Sequence, residues 1–234
     1  MNNIFITGAN RGIGFELTKQ SLLQGNRVLA TCRSNLEIKN LKALQQKFTN
    51  QLEIFSLDVE NETSVRSCFN KVDEKKLTID LLFNNAGIMD WSDYQNISLS
   101  SLENIYKTNL IGPLLVTRNA VPFMNKNDSA LIVNMSSRLG SIDLRGETQL
   151  GGAIGYQCSK SALNMLTKQT SIDLKPLGIR VISLSPGWVK TEMGGKDAKY
   201  EVEESVSLLL QTLEHLERHK SGIFIGEDGK EIPW

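Results

Sequence analysis

Short apolar runs rich in β-branched residues alternate with longer amphipathic stretches along the whole chain. The runs have the length of strands, and the stretches between them repeat apolar residues at three- and four-residue spacing, as helices packed on a sheet do. We predict strands at residues 4–7, 27–31, 52–56, 79–83, 130–135, 180–184 and 222–225, and helices at residues 14–23, 36–48, 64–74, 102–121, 154–174 and 202–216. The expected fold is therefore α/β and doubly wound, a single domain over residues 1–234 with a seven-stranded, mostly parallel sheet flanked by helices.

Composition limits the possible functions. Lysine plus arginine and aspartate plus glutamate both number 26, so no overall positive field draws the chain onto nucleic acid or anionic lipid. The three cysteines, Cys32, Cys68 and Cys158, lack paired ligand spacing, which argues against a disulfide framework or a zinc site. No apolar run is long enough to cross a bilayer, and the first residues do not resemble a signal peptide. We expect a cytoplasmic protein without a metal, nucleic-acid or membrane partner.

A glycine-rich turn, residues 7–14, lies between the first predicted strand and the first predicted helix. Glycine permits a tight turn and close approach of backbone to a pyrophosphate, and the N-terminus of a helix favours an anion. At the first βα junction of an alternating chain, this pattern favours the dinucleotide site of the Rossmann fold over a glycine turn without a ligand. The predicted contacts are Gly8, Asn10, Arg11, Gly12, Ile13 and Gly14.

The end of the second predicted strand indicates which dinucleotide binds. An NAD site places an acidic residue there for the ribose 2′-hydroxyl, whereas this chain has Thr31-Cys32-Arg33. Arg33 can pair with a 2′-phosphate, and Arg11 in the glycine turn can provide a second cation. The alternatives are a solvated surface charge for each arginine and an enzyme that uses NADH. We predict NADP(H) as the cofactor.

Tyr156 and Lys160 lie one helical turn apart at the start of a predicted helix. A phenol, with an ordinary pKa of about 10, is a poor acid–base catalyst at neutral pH, and a neighbouring ammonium lowers that pKa towards the working range. In isolation the two residues would be an ordinary surface pair. Ser136 and Ser137, however, end the fifth predicted strand at the edge of the sheet where ligands bind, and a hydroxyl there can contact a substrate oxygen.

Further motifs follow the glycine turn in a fixed order. They are Asn84-Asn85-Ala86-Gly87 after the fourth predicted strand, Asn109, the Ser–Tyr–Lys set and Pro186-Gly187. Together they resemble the short-chain dehydrogenase/reductase family, and the resemblance runs from residue 2 to the end. Residues 185–195 and 228–234 resemble the C-factor and sniffer-type carbonyl reductases of that family.

The resemblance implies a reversible, NADPH-dependent reduction of an aldehyde or ketone to an alcohol. It implies that Ser137 orients the carbonyl oxygen and that Tyr156 donates or accepts the proton. Lys160 would tune Tyr156 and hold the nicotinamide ribose, and Asn109 would anchor a water that relays protons to Lys160. Asp58 would contact the adenine. The remaining implied cofactor contacts are Val59, Asn85, Ala86, Gly87, Tyr156, Lys160, Pro186, Gly187, Val189 and Thr191.

One spacing departs from the family pattern. Ser137 and Tyr156 are nineteen positions apart, so the loop over residues 138–155 is longer than usual and the substrate pocket is expected to differ. Trp91, Tyr94 and Trp188 are candidates to line this pocket, with ordinary core packing as the alternative. In the family pattern Ser137 is the reacting serine, and Ser136 is expected to be structural.

The resemblance also implies a small-molecule carbonyl or alcohol substrate and a homodimer or other homo-oligomer, formed through the predicted helices 102–121 and 154–174. A short lid over residues 188–200 would enclose the substrate only modestly. The alternative function is a dinucleotide-binding signalling protein of C-factor type with little turnover. The intact Tyr156–Lys160 pair disfavours that alternative.

Overall fold

The computed structural model describes residues 2–33, 38–125, 130–146, 151–216 and 220–234. Within these residues the strands are β1 (Asn3–Ile6), β2 (Arg27–Cys32), β3 (Leu52–Ser56), β4 (Leu81–Asn84), β5 (Leu131–Met135), β6 (Arg180–Leu184) and β7 (Phe224–Ile225). They form one sheet in the order β3-β2-β1-β4-β5-β6-β7, and neighbouring strands pair in parallel. The prediction of a doubly wound α/β fold with a seven-stranded sheet is confirmed.

The helices of the described residues are α1 (Gly12–Leu23), α2 (Lys39–Lys47), α3 (Glu62–Glu74), α4 (Leu99–Tyr106), α5 (Gly112–Ala120), α6 (Ile154–Asp173) and α7 (Val202–Glu214). In place of the single helix predicted over residues 102–121, the structure has α4 and α5, joined by a π-helical turn at Lys107–Ile111. The first residues of the predicted helix 36–48 lie outside the described residues. None of the helices in the described part of the chain has the length and apolar character needed to cross a membrane.

The side chains of β1 show how the sheet separates two cores. Ile4 and Ile6 belong to one apolar cluster and Phe5 to the other, because successive side chains of a strand point to opposite faces. The first cluster includes residues of α1, α2 and α7, and the second includes residues of α3 and α5. Helices on both faces bury the sheet, which explains why its strands are apolar throughout.

All strands run in the same direction, so their carboxyl ends lie along one edge of the sheet. The glycine turn follows β1 at this edge, and the loop that begins at Asn85 follows β4. Ser136 and Ser137 follow β5, and Pro186-Gly187 follows β6. In doubly wound sheets, ligands bind at this edge.

Candidate active site

The glycine turn after β1 has a shape that side chains would obstruct. Gly8 has φ +66°, in the region that favours glycine. A Cβ atom on Gly14 would lie 2.2 Å from the Gly8 carbonyl oxygen and 2.5 Å from Nδ2 of Asn85. The Ala9 N–H donates to the Thr31 carbonyl at 2.8 Å, which ties the turn to β2. Ile13 packs against the core below, so the first turn of α1 is held close to the sheet.

The loop after β4 is fastened to the glycine turn. Thr7 Oγ1 accepts hydrogen bonds from the Asn85 and Ala86 N–H groups at 2.9 and 3.0 Å. The Asn85 side chain donates to the carbonyls of Thr7 and Gly8 at 2.9 and 3.3 Å. The amide of Asn85 therefore braces the turn, while Asn84 is buried and donates to Thr117 and Asn134, as expected of a structural residue.

Both arginines predicted to bind the 2′-phosphate have carboxylate partners. Nη1 of Arg33 lies 3.8 Å from Oε1 of Glu60, with the Arg33 side chain 59% exposed. The Thr108 hydroxyl also donates to Glu60. Arg11 pairs with Glu192. Neither pairing follows from a local sequence pattern, because the partners are far apart in the chain.

Asp58 lies at the start of the loop that leads from β3 into α3. Its N–H donates to Ser64 Oγ at 2.9 Å, and its carboxylate accepts from the Glu60 N–H at 3.1 Å. The neighbouring Val59 is buried, and a Cβ atom on Gly112 would lie 3.0 Å from its side chain. The first turn of α5 therefore packs closely on this loop.

Ser137, Tyr156 and Lys160 come together beside the end of β5. The Ser137 side chain interacts with the Tyr156 hydroxyl, and Nζ of Lys160 lies 5.5 Å from the centroid of the Tyr156 ring. Nζ also donates to the Met135 carbonyl at 2.7 Å. Tyr156 and Lys160 are both buried. The spacing in α6 and the end of β5 thus place the three side chains as the sequence predicted.

Burial controls the proton affinities of this pair. Desolvation raises the pKa of Tyr156 to about 12, and the hydrogen bond with Ser137 acts in the opposite direction. Desolvation also lowers the pKa of Lys160 from 10.5 to about 8. The expectation that Lys160 would bring the phenol pKa down towards neutrality is wrong for this structure. Desolvation raises the Tyr156 pKa by more than the hydrogen bond with Ser137 lowers it.

Asn109 lies in the π-helical turn between α4 and α5 and is fully buried. Its Oδ1 accepts from the Ile88 N–H at 2.9 Å, and its Nδ2 donates to the Ile88 carbonyl at 2.9 Å and to Ser159 Oγ at 3.0 Å. A Cβ atom on Gly87 would lie 3.4 Å from Asn109 Oδ1 and 3.7 Å from Lys160 Nζ. Asn109 and Lys160 thus both border Gly87. π-Helical turns occur frequently at functional sites.

The two serines after β5 differ in their surroundings. Ser136 is buried and donates to Asn164 Oδ1 at 2.7 Å, so its hydroxyl is committed to α6. Ser137 Oγ accepts a hydrogen bond from the Leu139 N–H at 3.2 Å. The hydroxyl proton of Ser137 therefore remains available to donate towards Tyr156. This difference supports Ser137 as the reacting serine.

The segment after β6, residues 188–200, folds on itself beside the glycine turn. Its ends pair where Val189 and Tyr200 bridge, and Trp188 Nε1 donates to the Gly194 carbonyl at 2.8 Å. A Cβ atom on Gly12 would lie 3.7 Å from Cγ2 of Thr191. The carbonyl of Pro186 accepts from Ser205 Oγ at 2.8 Å, which fixes the segment to α7. We call residues 188–200 the lid.

A cavity of about 820 Å³ lies beside α6, on the helical face opposite Tyr156. Its lining includes Trp91, Tyr94 and Cys158, together with described residues of the long loop such as Arg145. Both aromatic rings are largely exposed, so the core-packing alternative is wrong for them. Residues 147–150 of this loop lie outside the described residues.

Comparisons with known proteins agree with this arrangement. The model of the short chain dehydrogenase family matches residues 2–201. The C-signal protein of Myxococcus xanthus is 35% identical over 157 residues, which cover 67% of this chain and 93% of that protein. The NADPH-bound carbonyl reductase from chicken fatty liver is 36% identical with a TM-score of 0.93, over 100% of this chain and 99% of its own. Carbonyl reductase Sniffer of D. melanogaster is 35% identical with a TM-score of 0.93, over 100% of both chains.

The chain belongs to the short chain dehydrogenase family of oxidoreductases. The resemblance inferred from its motifs, both to the family and to its C-factor and sniffer-type carbonyl reductases, is confirmed.

Proposed function

We propose that the protein is an NADPH-dependent carbonyl reductase that reversibly converts a small aldehyde or ketone to an alcohol. The observation that carries this proposal is the placement of Tyr156 and Lys160, both buried, beside the end of β5 that Ser137 follows, with Nζ of Lys160 5.5 Å from the centroid of the phenol ring. The NADPH-bound relative from chicken and the Sniffer relative, both carbonyl reductases, support the cofactor and the substrate class.

The residues at the carboxyl edge of the sheet fit NADPH. Gly8 and Gly14 let the turn pack tightly against itself and the loop after β4, where side chains would clash, and this compact turn presents its backbone and the N-terminus of α1 to the pyrophosphate. Arg33 can bind the 2′-phosphate by exchanging Glu60 for it, with Arg11 as the second cation. The further cofactor contacts are Asn10, Gly12, Ile13, Asp58, Val59, Asn85, Ala86, Gly87, Pro186, Gly187, Val189 and Thr191.

When bound, NADPH supplies the hydride, and the chain's own residues manage the oxygen and its proton. Ser137 donates a hydrogen bond to the substrate carbonyl oxygen and polarises the carbonyl. Tyr156, whose raised pKa keeps it protonated at neutral pH, donates its proton to that oxygen. Lys160 lies next to the phenol with a pKa lowered to about 8, so it can return a proton to Tyr156. Asn109 beside it holds the water that carries protons from solvent.

Similarity to C-signal favours one other candidate, a dinucleotide-binding signalling protein in which turnover is incidental. The two candidates differ in what they require of Tyr156. A reductase needs its hydroxyl for the chemical step, whereas a nucleotide-dependent signal needs only an intact binding site.

The test is the consumption of NADPH with a panel of aldehydes, ketones and diketones, in wild type and in Tyr156→Phe. Loss of general acid catalysis lowers the rate by about 10²–10⁴-fold. Turnover that disappears in Tyr156→Phe while NADPH still binds supports the reductase. Tight binding of NADPH without turnover of any panel member in the wild type contradicts it and favours the signalling candidate. Parallel assays with NADH and with Arg33→Asp test the cofactor preference.

A further inference from the structure

Glu227 is a buried carboxylate that the reaction described above does not use. It follows β7, and its side chain is 7% exposed. Burial of a charged group is unfavourable unless a partner compensates it. Oε2 of Glu227 accepts a hydrogen bond at 3.3 Å from Nη2 of Arg138, whose side chain is 43% exposed. The same Nη2 lies 3.5 Å from Oδ1 of the more exposed Asp228. Arg138 is the residue that directly follows Ser137 in the chain.

The same carboxyl group lies beside Gly187, the residue that leads into the lid. A Cβ atom on Gly187 would lie 3.0 Å from Cδ of Glu227 and 2.8 Å from Cε2 of Tyr200. Gly187, with φ +77°, leads into the lid, and Tyr200 closes it through its N–H bond to the Trp188 carbonyl at 3.0 Å. Glu227 therefore lies next to Gly187, at the base of the lid, where Tyr200 also packs.

The segment after Ser137 is held both by α6, where Ser161 Oγ donates to the Gly140 carbonyl at 2.8 Å, and by the segment after β7. Arg138 begins a 3₁₀ turn, and the Leu139 N–H of this turn donates to Ser137 Oγ. Further along, Ser141 Oγ donates to the Pro233 carbonyl at 2.6 Å, and the Asp143 N–H donates to the Trp234 carbonyl at 2.8 Å. Among the contacts with the segment after β7, the one nearest to Ser137 in sequence is the Arg138–Glu227 ion pair.

We infer that Arg138 and Glu227 are positioning residues whose ion pair couples the orientation of Ser137 to the placement of the lid. The inference rests on the proposed function for the reaction that Ser137 serves. If Glu227 loses its charge, Arg138 keeps only its longer contact to Asp228, so the 3₁₀ turn is held less firmly to the segment after β7, and the Glu227 side chain beside Gly187 is no longer fixed by an ion pair. A displacement of about 1 Å in a reacting group can lower a rate by about a hundredfold.

The experiment compares Glu227→Gln, Arg138→Met and the double variant by two measurements, kcat for the best carbonyl substrate and the Kd of NADPH. Each single variant is expected to lower kcat by about tenfold or more and to raise the Kd of NADPH by about fivefold. The double variant is expected to lose no more than Arg138→Met alone, because Arg138→Met already breaks the pair with Glu227 together with the contact to Asp228. Arg138→Lys, which keeps the charge, should recover part of the loss.

The matched control is Glu53→Gln in β3, at the opposite edge of the sheet from β7. Glu53 is partly buried and pairs with Arg27 and Lys75 at 3.2 and 3.1 Å, so its loss affects stability without reaching the site. It should change the melting temperature but neither kcat nor the Kd.

Unchanged kcat and Kd in Glu227→Gln would overturn the inference, and so would losses that add up in the double variant. If Glu227→Gln does not fold, Arg138→Met, which alters a half-exposed side chain, carries the same test. If the wild type turns over no carbonyl, the proposed function fails. The Kd of NADPH in the variants then decides separately whether the ion pair fixes the lid.

Discussion

Replacing Gly14 by alanine isolates the role of the glycine turn. The new Cβ atom would lie 2.2 Å from the Gly8 carbonyl oxygen and 2.5 Å from Nδ2 of Asn85. Non-bonded heavy atoms are most stable at roughly 3.5 Å, so α1 and the turn must separate by about 1 Å. The obstructing oxygen belongs to the backbone and cannot rotate away.

The expected losses differ for stability and for binding. Overpacking costs about 1–3 kcal/mol, and alanine recovers about 1 kcal/mol of helix propensity, which leaves a small net destabilisation. The melting temperature should fall by about 3 °C. A shift of this size at the pyrophosphate removes at least one charge-assisted hydrogen bond of about 1.5–3 kcal/mol, so the Kd of NADPH should rise by about 10–100-fold.

Fluorescence titration with NADPH gives the Kd, and a thermal melt of the same samples gives the stability. Gly146→Ala is the matched control, because no atom of the described residues lies within 4 Å of the position that its Cβ would take. If Gly14→Ala binds NADPH as tightly as wild type, the glycine turn does not hold the pyrophosphate and the assignment of the cofactor site is refuted.

Three further predictions concern charge and assembly. Lys160→Met should abolish turnover and yet stabilise the fold at pH 7 by about 2 kcal/mol, because burial lowers the Lys160 pKa from 10.5 to about 8 and the lost bond to Met135 offsets only part of the gain. Between those pH values the unfolded chain binds more protons than the folded chain, so the free energy of unfolding of the wild type rises with pH. Urea unfolding should therefore show the extra stability of Lys160→Met shrinking from pH 8 to 10.5. A constant difference in stability would count against a buried, charged Lys160. Glu60→Gln should lower the Kd of NADPH by about 2–5-fold at low salt and leave the Kd of NADH unchanged, because it releases Arg33 from an exposed ion pair. Titration with both nucleotides checks this prediction, and equal effects on the two Kd values would contradict it. Met165→Glu with Ile172→Glu, on the exposed face of α6, should convert the expected homodimer to a monomer in light scattering, whereas an unchanged mass would place the interface elsewhere.

The parts of the site that local sequence rules could predict are those built within one or two neighbouring elements. The glycine turn is a strand-to-helix junction, and its conformation follows from its own residues. Tyr156 and Lys160 meet because they are one turn apart in α6, and Ser137 reaches them because it ends a central strand.

The remaining contacts join loops that are remote in the chain. Arg11 and Glu192 are 181 positions apart, and Arg138 and Glu227 are 89 apart, and no spacing rule relates such residues. The direction of the Tyr156 pKa shift was missed for a similar reason: it depends on the depth of burial, which the whole fold determines. The π-helical turn around Asn109 was hidden because one extra residue hardly disturbs the apolar pattern of a helix.

The most direct test of the proposed reaction is the transfer of deuterium from C4-deuterated NADPH to the product. Mass spectrometry of the alcohol formed from the best carbonyl substrate should show one deuterium on the carbinol carbon with the wild type, and no labelled alcohol above background with Tyr156→Phe at saturating NADPH. Labelled product formed at the wild-type rate by Tyr156→Phe would contradict the assignment of Tyr156 as the acid. An absence of labelled alcohol with the wild type, despite bound NADPH, would contradict the reductase function itself.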